Sequence, residues 1–527
     1  MTPASDPLLL IAESVAGRPG ADAVLIDGGR VAAVGRSADL GAEGLATECV
    51  EGVIAPGFCD AHLHPVGYAA ALSRPSLKEA VDFDQVADLL AEAAAAMPAG
   101  SAVIALRLDD ETLAEGRLPD RRLLDRAVPD RPAVAIRYCG HVSVANGPAL
   151  DLAGIGPGTP DPEGGSIDRD SGGHPTGVLR ETATQLVAAA LSHLAPPVTP
   201  AEVVGAATAL ASLGLTSIGG IVDSGEGCWA GHGSELDALI GAGPDLPIRV
   251  GALVIASTPE ELDAAARRIG DAGPRLRFLG FKAFADGSLG GHTAAMNDPF
   301  SDDPGTRGTL RLDPDWAYEM ATTSLRRGGM VAVHAIGDQA NGRVLDLMER
   351  LIGDGADPSM LRIEHASVLA PADVARFADL GVTAVVQPAF LASETTWLEK
   401  RVGPIRLPLT YAFRTLADAG VPLAGSSDSP VEPPHPLWGM AAARDRCGLT
   451  PDERLEAGEA HHLFTGGAAA AVGERRGIAP GAGADLVVLD RDPVDSSPDG
   501  LRAARVIATF VDGARVPVPA GITTWKG

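Results

Sequence analysis

The sequence of 527 residues has few cysteines, few aromatic residues and no long apolar run. Its five cysteines are widely spaced and form no Cys-x-x-Cys pair, which argues against a disulfide scaffold and a thiolate zinc site. No apolar stretch reaches the roughly 18 residues of a membrane-spanning helix. The run LLLIA near the N-terminus is too short for a signal peptide and follows no basic segment. We therefore expect a cytoplasmic protein.

Positive charge is also scarce, since 42 lysines and arginines stand against 69 aspartates and glutamates, for a net charge of −27. Phosphate backbones and anionic lipid repel such a chain, so we expect neither nucleic acid nor a membrane as a partner. Hydrophobic residues make up 46% of the sequence, which is too apolar for a disordered chain. We expect a small-molecule substrate, and the sequence leaves open whether the protein forms a homodimer.

The two ends of the chain share a pattern of short strands and tight turns. Two β-prone runs in residues 23–35 flank Asp27-Gly28-Gly29, and residues 484–513 repeat this pattern around Asp512-Gly513. Neither end alone is large enough for a comfortable core. We therefore predict that residues 1–54 and 475–527 together form one small β domain.

Between the two ends, short apolar strands alternate with Ala-rich helical stretches, as in a parallel sheet. From the second candidate strand onward, most strands begin roughly 30 residues after the previous one, the length of a βα unit. This spacing favours an α/β fold with a (β/α)8 TIM-like barrel over residues 55–474. A large insertion follows the first strand at residues 66–200, and a shorter one lies around Gly287 to Arg311. The candidate strands are Val53–Cys59, Leu215–Ile221, Ile248–Ala256, Leu276–Phe284, Met330–His334, Leu361–His365, Val382–Gln387 and Val421–Gly425.

Unusual polar residues lie at or just beyond the C-terminal ends of these strands. His62 and His64 follow the first strand and point the same way, because strand side chains alternate. Later strands add one lysine, two histidines and one aspartate, namely Lys282, His334, His365 and Asp428. Barrel enzymes carry out their chemistry at this face, and imidazoles with a carboxylate suit zinc. We predict a site for one or two divalent cations, Zn²⁺ first, with Mn²⁺ or Fe²⁺ as alternatives.

This ligand pattern resembles the signature of the amidohydrolase superfamily of metal-dependent hydrolases. Local strings along nearly the whole chain resemble its YtcJ-like branch, amidohydrolase family 3, which includes N-substituted formamide deformylases. The strings are Ala55-Pro-Gly-Phe-Cys-Asp-Ala-His-Leu-His64, Gly140-His-Val-Ser-Val-Ala-Asn146, Gly164-Gly165, Gly177-Val-Leu-Arg-Glu181, Phe284-Ala-Asp-Gly-Ser-Leu-Gly290, His334-Ala-Ile-Gly-Asp338, Arg362-Ile-Glu-His365, Ser427-Asp-Ser-Pro430 and Pro480-Gly-Ala-Gly-Ala-Asp-Leu486.

The resemblance implies that the terminal β domain is a composite β-sandwich. It also implies hydrolysis of a C–N amide-type bond in a small molecule, an N-acyl or N-formyl amide, by a metal-activated water. Asp428 is expected to act as the general base as well as a ligand. Burial beside cations would leave Lys282 a neutral amine that reacts with carbon dioxide, and strand-four lysines of binuclear relatives commonly carry this carboxylation. We predict that carboxylated Lys282 bridges two metals.

Further residues of these strings are candidates for roles around the metal. We expect His141, Asn146 and His292 to bind substrate, and Asp338 and Glu364 to hydrogen-bond the metal-binding histidines. The sequence departs from the family pattern at two places in the barrel mouth. Cys139-Gly-His141 stands where relatives often carry Asp-Gly-His, and Gly291-His292 stands where a small residue and arginine are usual. These departures leave the substrate open.

Other activities remain compatible with the same site. An esterase, lactonase or carbamate hydrolase would use the same metal-bound water. A deaminase is less favoured, because deaminases of this superfamily typically lack the strand-four lysine and place a glutamate three residues after the strand-five histidine, where this chain has Gly337. A non-catalytic binding protein is disfavoured as well, since such proteins usually lose metal ligands and none is missing here.

Overall fold

The computed structural model describes residues 7–522 except 42–43, 99, 139, 163–164, 192–193, 195–196 and 226–233. Cys139, Gly164 and Cys228 therefore lie outside the described residues. Eight parallel strands lie side by side in chain order, and the eighth packs next to the first in a nearly closed barrel. The predicted parallel barrel is thereby confirmed. Its strands are Phe58–Leu63, Leu215–Asp223, Arg249–Ile255, Leu276–Phe284, Met330–Ala335, Leu361–His365, Thr383–Val386 and Leu423–Gly425.

The first barrel strand differs from its prediction. The predicted strand Val53–Cys59 is in fact parts of two strands, because Val53–Pro56 belongs to a sheet at the chain ends and Phe58–Leu63 begins the barrel. The chain changes sheets at Gly57, where a Cβ atom would lie 2.5 Å from Cγ2 of Thr216. Both halves are almost wholly buried, so one continuous apolar run hides the change of sheet.

Backbone hydrogen bonds join the first strand to the loop after the eighth. The Asp428 N–H donates to the His62 carbonyl at 2.8 Å, and the His64 N–H donates to the Ser429 carbonyl at 2.7 Å. These bonds lie at the C-terminal end of the barrel. They fix the relative positions of the two segments that carry His62, His64 and Asp428.

Helices surround the barrel, and several begin with the same sequence signal. Thr199, Thr258 and Asp313 each accept a hydrogen bond from a backbone N–H of the following first turn, and each precedes a proline. No helix among the described residues is both long and apolar enough to cross a membrane. The helices outside the insertion and the chain ends are Pro65–Ser73, Pro200–Ser212, Glu235–Ala242, Pro259–Gly270, Pro314–Arg326, Asp338–Gly353, Pro371–Leu380, Phe390–Glu394, Leu398–Arg406, Phe413–Asp418, Pro436–Asp445, Ala457–His462 and Ala468–Ala471.

The insertion after the first barrel strand has a sheet and a small core of its own. Its helices are Phe83–Ala96, Arg121–Ala127, Gly147–Leu152 and Thr182–Leu191. An apolar cluster that includes Ile104, Leu179 and Leu191 lies between sheet and helices. The shorter predicted insertion, Gly287 to Arg311, contains neither helix nor strand. The insertion sheet has the order Gly165–Arg169, Pro175–Glu181, Val142–Ala145, Ala133–Arg137, Val103–Leu108.

Two smaller sheets lie at the ends of the chain. The predicted hairpin at Gly28-Gly29 is confirmed in the first of them. The second takes strands from both ends of the chain, and an apolar cluster including Leu10 and Phe510 spans the two sheets. The first sheet contains Leu8–Ile11, Ala23–Asp27, Arg30–Gly35 and Ala46–Cys49, with helix Ser37–Leu40 beside it. The second contains Ser14–Val15, Val53–Pro56, Leu486–Leu489, Val506–Val511 and Ala514–Arg515, with helix Pro498–Ala503.

Candidate metal centre

The C-terminal ends of the barrel strands bring three predicted ligands into one buried group. One ligand atom each from His62, His365 and Asp428 lies within 4.8 Å of the others. Nε2 of His62 is 3.1 Å from Oδ1 of Asp428, and Nε2 of His64 is 3.3 Å from the same oxygen. His334 is the next imidazole along, with its ring centroid 4.4 Å from that of His365. The structure thus brings all four histidines and Asp428 to one cavity.

Two of these residues have left-handed backbone conformations. His365 has φ 75° and Asp428 has φ 56°, although neither is a glycine. Such conformations cost on the order of 1–3 kcal/mol each and occur at functional sites. Both residues stand where a strand ends and its loop begins, so the unusual backbone turns their side chains into the barrel mouth.

A buried carboxylate orients His62. Glu364 contacts Nδ1 of His62 and forms two hydrogen bonds with Arg362, at 2.5 and 2.9 Å. Burial opposes its charge, but Arg362 and His62 hold the pKa of Glu364 well below its usual range. Ionised Glu364 accepts the Nδ1 proton, which leaves Nε2 of His62 as the atom that faces Asp428. The predicted hydrogen bond from Glu364 to a metal-site histidine is therefore present.

The other two strand-end histidines are oriented in a similar way. Nδ1 of His365 lies 2.9 Å from Oε1 of Gln387, so it donates there and leaves Nε2 available. Nε2 of His334 lies 2.9 Å from the Gly287 carbonyl, so its free nitrogen is Nδ1. Burial, together with nearby positive charge, lowers the pKa of His334 and His365 well below the usual value. Both are therefore neutral, which is the form that binds a metal.

Two buried aspartates that we did not predict support the same loops. Asp60 accepts hydrogen bonds from the backbone N–H groups of His62 and Ser427. Asp286 accepts them from Ala295, Ile336 and Gly337, and its Oδ1 is 3.3 Å from Nε2 of His334. Burial raises the pKa of Asp60 to about 6 and that of Asp286 to about 7. Both stand in strings that carry the family resemblance, which was the signal available in the sequence.

Lys282 is buried on the fourth barrel strand. Its Nζ donates to the Ala283 carbonyl at 3.0 Å and lies 3.6 Å from the centre of the Phe284 ring. Burial lowers the pKa of Lys282 to about 7, against the opposing charges of Glu364 and Asp428. Among the described residues no carboxylate lies within ion-pair distance of Nζ. An ion pair with an acidic side chain therefore does not account for the burial of Lys282.

A cavity of about 270 Å³ opens over the metal group, between the barrel mouth and the insertion. His141 and Glu181 come from the insertion, with Nδ1 of His141 2.8 Å from Oε2 of Glu181. Arg311, from the loop after the fourth strand, donates to the same oxygen at 2.8 Å. Burial opposes ionisation, yet His141 and the other neighbours lower the pKa of Glu181 to about 2. The ring of His141 lies 5.9 Å from that of His334, so this group forms the wall beside the metal residues.

Three predicted residues are not brought to the site. Asn146 begins a helix of the insertion, and its buried side chain accepts from Ala133 and Ala149 and donates to two carbonyls. His292 does not line the cavity and pairs with Asp302 at 3.1 Å. Asp338 accepts from two backbone N–H groups and contacts no metal-site histidine. Hydrogen bonds with backbone groups account for the side chains of Asn146 and Asp338, and the pair with Asp302 accounts for His292. None of the three has the role that we expected from the sequence.

The donor set fits a cation. Because Nδ1 of His62 faces Glu364, its Nε2 faces a carboxylate oxygen of Asp428 at 3.1 Å. That oxygen, Oδ1 of Asp428, is buried and also lies 3.3 Å from Nε2 of His64. Two facing acceptors repel unless a proton or a metal ion lies between them. The neighbouring acids Asp428 and Glu364 raise the pKa of His62 despite its burial, which also marks a place for positive charge.

Comparison with known proteins places this arrangement in a family. The sequence model of the amidohydrolase family matches residues 50–517. The Bacillus subtilis (strain 168) protein named "Putative amidohydrolase YtcJ" is 31% identical over 484 residues, 88% of each chain. N-substituted formamide deformylase of Arthrobacter pascens is 30% identical over 520 residues, 94% of each chain.

A solved structure agrees with these sequence matches. An uncharacterized metal-dependent hydrolase from Pyrococcus horikoshii OT3 is 28% identical, with a TM-score of 0.73, over 94% of this chain and 99% of that one. The resemblance to YtcJ-like amidohydrolases is thus confirmed across the barrel and both chain ends. The chain belongs to the amidohydrolase family and is a hydrolase that acts on carbon–nitrogen bonds.

Proposed function

We propose that this protein hydrolyses the C–N bond of a small N-acyl or N-formyl amide with the help of one or two divalent cations. The observation that carries this proposal is the buried group of His62, His365 and Asp428, whose facing acceptor atoms require positive charge. The cavity above it, about 270 Å³, is of a size for a small molecule. The relative named as a formamide deformylase supports an amide as the substrate class.

The residues that would hold the cations share one end of the barrel. They are His62, His64, Lys282, His334, His365 and Asp428. Imidazole and carboxylate donors suit Zn²⁺, and Mn²⁺ and Fe²⁺ also accept them. A divalent cation bound here would supply Lewis-acid activation of a water molecule and of the amide carbonyl. No serine or cysteine nucleophile is then required.

Asp428 is the proposed general base. Its pKa lies well below the usual value, because the nearby histidines outweigh burial, so the carboxylate is ionised. The water oxygen forms a bond to the amide carbon while one water proton passes to Asp428. Asp428 then returns this proton to the amide nitrogen as the C–N bond breaks. The products are a carboxylic acid and an amine.

Lys282 is the proposed bridge between two cations. It is buried at the end of the strand before the one that carries His334, and it lacks an acidic partner among the described residues. The neutral amine forms an N–C bond to carbon dioxide and releases one proton, and the resulting carbamate offers two oxygens. Such an anion would supply an oxygen ligand to each of two cations. An ammonium group could not act as a ligand.

His141 is the proposed substrate contact from the insertion. Glu181 and Arg311 hold its ring beside His334, at the edge of the cavity. Because Nδ1 faces ionised Glu181, Nε2 is the ring atom directed away from this pair. In this position His141 can hydrogen-bond an amide held over the metal residues and thereby orient it.

We also propose that the two terminal sheets constitute one composite β-sandwich domain, residues 1–54 and 475–527. The shared apolar cluster and the sheet built from both chain ends support this division. Such a domain ties the ends of the barrel chain together. It carries none of the proposed ligands.

One experiment tests the proposed function directly. The purified protein, loaded with zinc or manganese, is assayed on N-formyl amines, N-acyl amines, carbamates, lactones and aminopyrimidines, with metal content measured by elemental analysis. We expect turnover of the formyl or acyl amines. The His62→Ala/His365→Ala variant should lose both metal and turnover while its far-UV circular dichroism persists. Hydrolysis of lactones alone, or full metal content in the variant, would contradict the proposal.

A further inference from the structure

A small apolar pocket lies beside the main cavity, inside the insertion. Its walls come from the insertion sheet and from the helix Thr182–Leu191. Its volume is about 30 Å³. A water molecule takes up roughly 10–15 Å³ on this measure, so the side pocket has room for about two or three heavy atoms. The apolar side chains that line it are Ile104, Val134, Ile136, Val187 and Leu191.

The side pocket and the main cavity share a border. Gly140 and Thr184 line both of them. The residue after Gly140 is His141, whose ring lies 5.9 Å from that of His334. A small molecule held over the metal residues therefore lies next to the entrance of the side pocket, and a short substituent can extend from one to the other.

The polar groups of the side pocket are two hydroxyls. Thr184 donates to the Glu181 carbonyl at 2.8 Å. The hydroxyl of Ser143 is buried and has no hydrogen-bond partner among the described residues. None of the described residues that line the pocket is charged. A buried hydroxyl without a partner is costly, and a ligand atom that accepts its hydrogen bond removes that cost.

We propose that this side pocket is a substrate subsite for a short branched aliphatic group of about three carbons with a hydrogen-bond acceptor near Ser143. The proposal rests on the proposed function, because this group would be a substituent of the hydrolysed amide. A protein interior is normally close-packed, so an apolar gap next to a cavity, with a hydroxyl left unpaired, is where a ligand group fits. The barrel residues would then carry out the hydrolysis, and the insertion would select the substituent of the amide.

Binding of a small alcohol tests the subsite without any hydrolysis. The probe is propan-2-ol, whose three carbons match the proposed group, titrated into the metal-loaded full chain and followed by saturation-transfer NMR. Ala188 lines the pocket, and Ala189 lies on the exposed side of the same helix. We expect Ala188→Leu to fill the pocket and weaken binding at least ten-fold, and the matched control Ala189→Leu to bind like the wild type. Ser143→Ala should weaken binding about three- to ten-fold.

Two outcomes of this titration would overturn the subsite. One is equal binding by Ala188→Leu and Ala189→Leu, and the other is no binding by the wild type. Melting temperature gives a second measurement, because a leucine that fills an existing space does not overpack the core. Ala188→Leu should therefore melt no lower than Ala189→Leu. If Ala188→Leu fails to fold, Ala188→Val makes the same comparison with a smaller side chain.

A substrate series separates this proposal from the proposed function. In N-alkyl formamides and in N-methyl acylamides, kcat/KM should rise about fifteen-fold from a methyl to an isopropyl group in one of the two series, since each of the two added carbons contributes about four-fold when buried. Ala188→Leu should reduce the isopropyl-to-methyl ratio to about one, and Ala189→Leu should keep it. Hydrolysis with a flat profile in both series overturns the subsite alone. No hydrolysis of any amide overturns the proposed function, and the alcohol titration still decides the subsite.

Discussion

The barrel and its insertion contribute to the cavity in different ways. The barrel residues sit at strand ends whose backbone is fixed by the sheet, and buried acceptors orient His62, His334 and His365. The insertion contributes His141 through side-chain pairing with Glu181, on a separate sheet with its own core. Because the metal residues lie on the barrel strands and the wall residues on the insertion, the substrate preference can change without disturbing the metal residues.

The sharpest test of the barrel side is Asp428→Asn. Asparagine retains an oxygen that can bind a metal ion, but it cannot take up the proton of the attacking water. We expect kcat to fall by at least about 10²-fold, the factor supplied by a general base, with metal content close to that of the wild type. Steady-state kinetics with elemental analysis measures both quantities. A variant with near-normal kcat would assign the base to another residue.

A second test compares two acids that flank metal-site histidines in the sequence. Glu364 contacts His62, whereas Asp338 accepts hydrogen bonds from the backbone N–H groups of Asn297 and Gln339. Glu364→Gln should weaken metal affinity about 10- to 100-fold, because the buried charge that orients His62 is lost. Asp338→Asn is the matched control and should leave affinity within two-fold. Competition with a chelator measures the metal affinity of both variants. Equal losses of affinity would show that the contact between Glu364 and His62 does not matter for metal binding.

A smaller effect is expected on the insertion side. Glu181→Gln removes the charge that holds His141 and Arg311, so we expect kcat/KM to fall on the order of ten-fold with metal content unchanged. Asp168→Asn breaks the Arg180–Asp168 pair on the same sheet, away from the cavity, and serves as control. Loss of metal in Glu181→Gln would contradict this prediction, because it would mean that the His141–Glu181 pair also supports metal binding.

The sequence predicts the barrel side better than the insertion side, for physical reasons. Short apolar runs predict where the strands end, so the sequence alone places the histidines and Asp428 on one face of the barrel. The contact between His141 and Glu181 joins residues 40 apart through a sheet pairing that no local pattern shows. The sequence predicts a substrate-binding role for Asn146 because it stands in a string that carries the family resemblance, yet its side chain caps a helix of the insertion. The strand error at Gly57 arose because two sheets share one apolar run.

The difference between buried and exposed histidines also predicts a pH dependence of stability. His435 stacks on Trp438, with ring centroids 4.7 Å apart, and burial lowers the pKa of His435 and of His461 to about 4. In the unfolded chain both take up protons below about pH 6.5, while the folded chain leaves them neutral, so acid favours unfolding. Each should remove about 2 kcal/mol of stability between pH 7 and pH 5.

Substitution isolates this effect. His435→Phe keeps an aromatic ring against Trp438 but removes the titrating group, so its loss of stability between pH 7 and pH 5 should be smaller than that of the wild type by about 2 kcal/mol. Urea unfolding at the two pH values measures the difference. His174→Gln, at a residue in the insertion whose side chain is 66% exposed, is the control and should follow the wild type. Equal losses in wild type and His435→Phe would show that the acid sensitivity comes from other groups, because the buried ring itself would then titrate as it does in the unfolded chain.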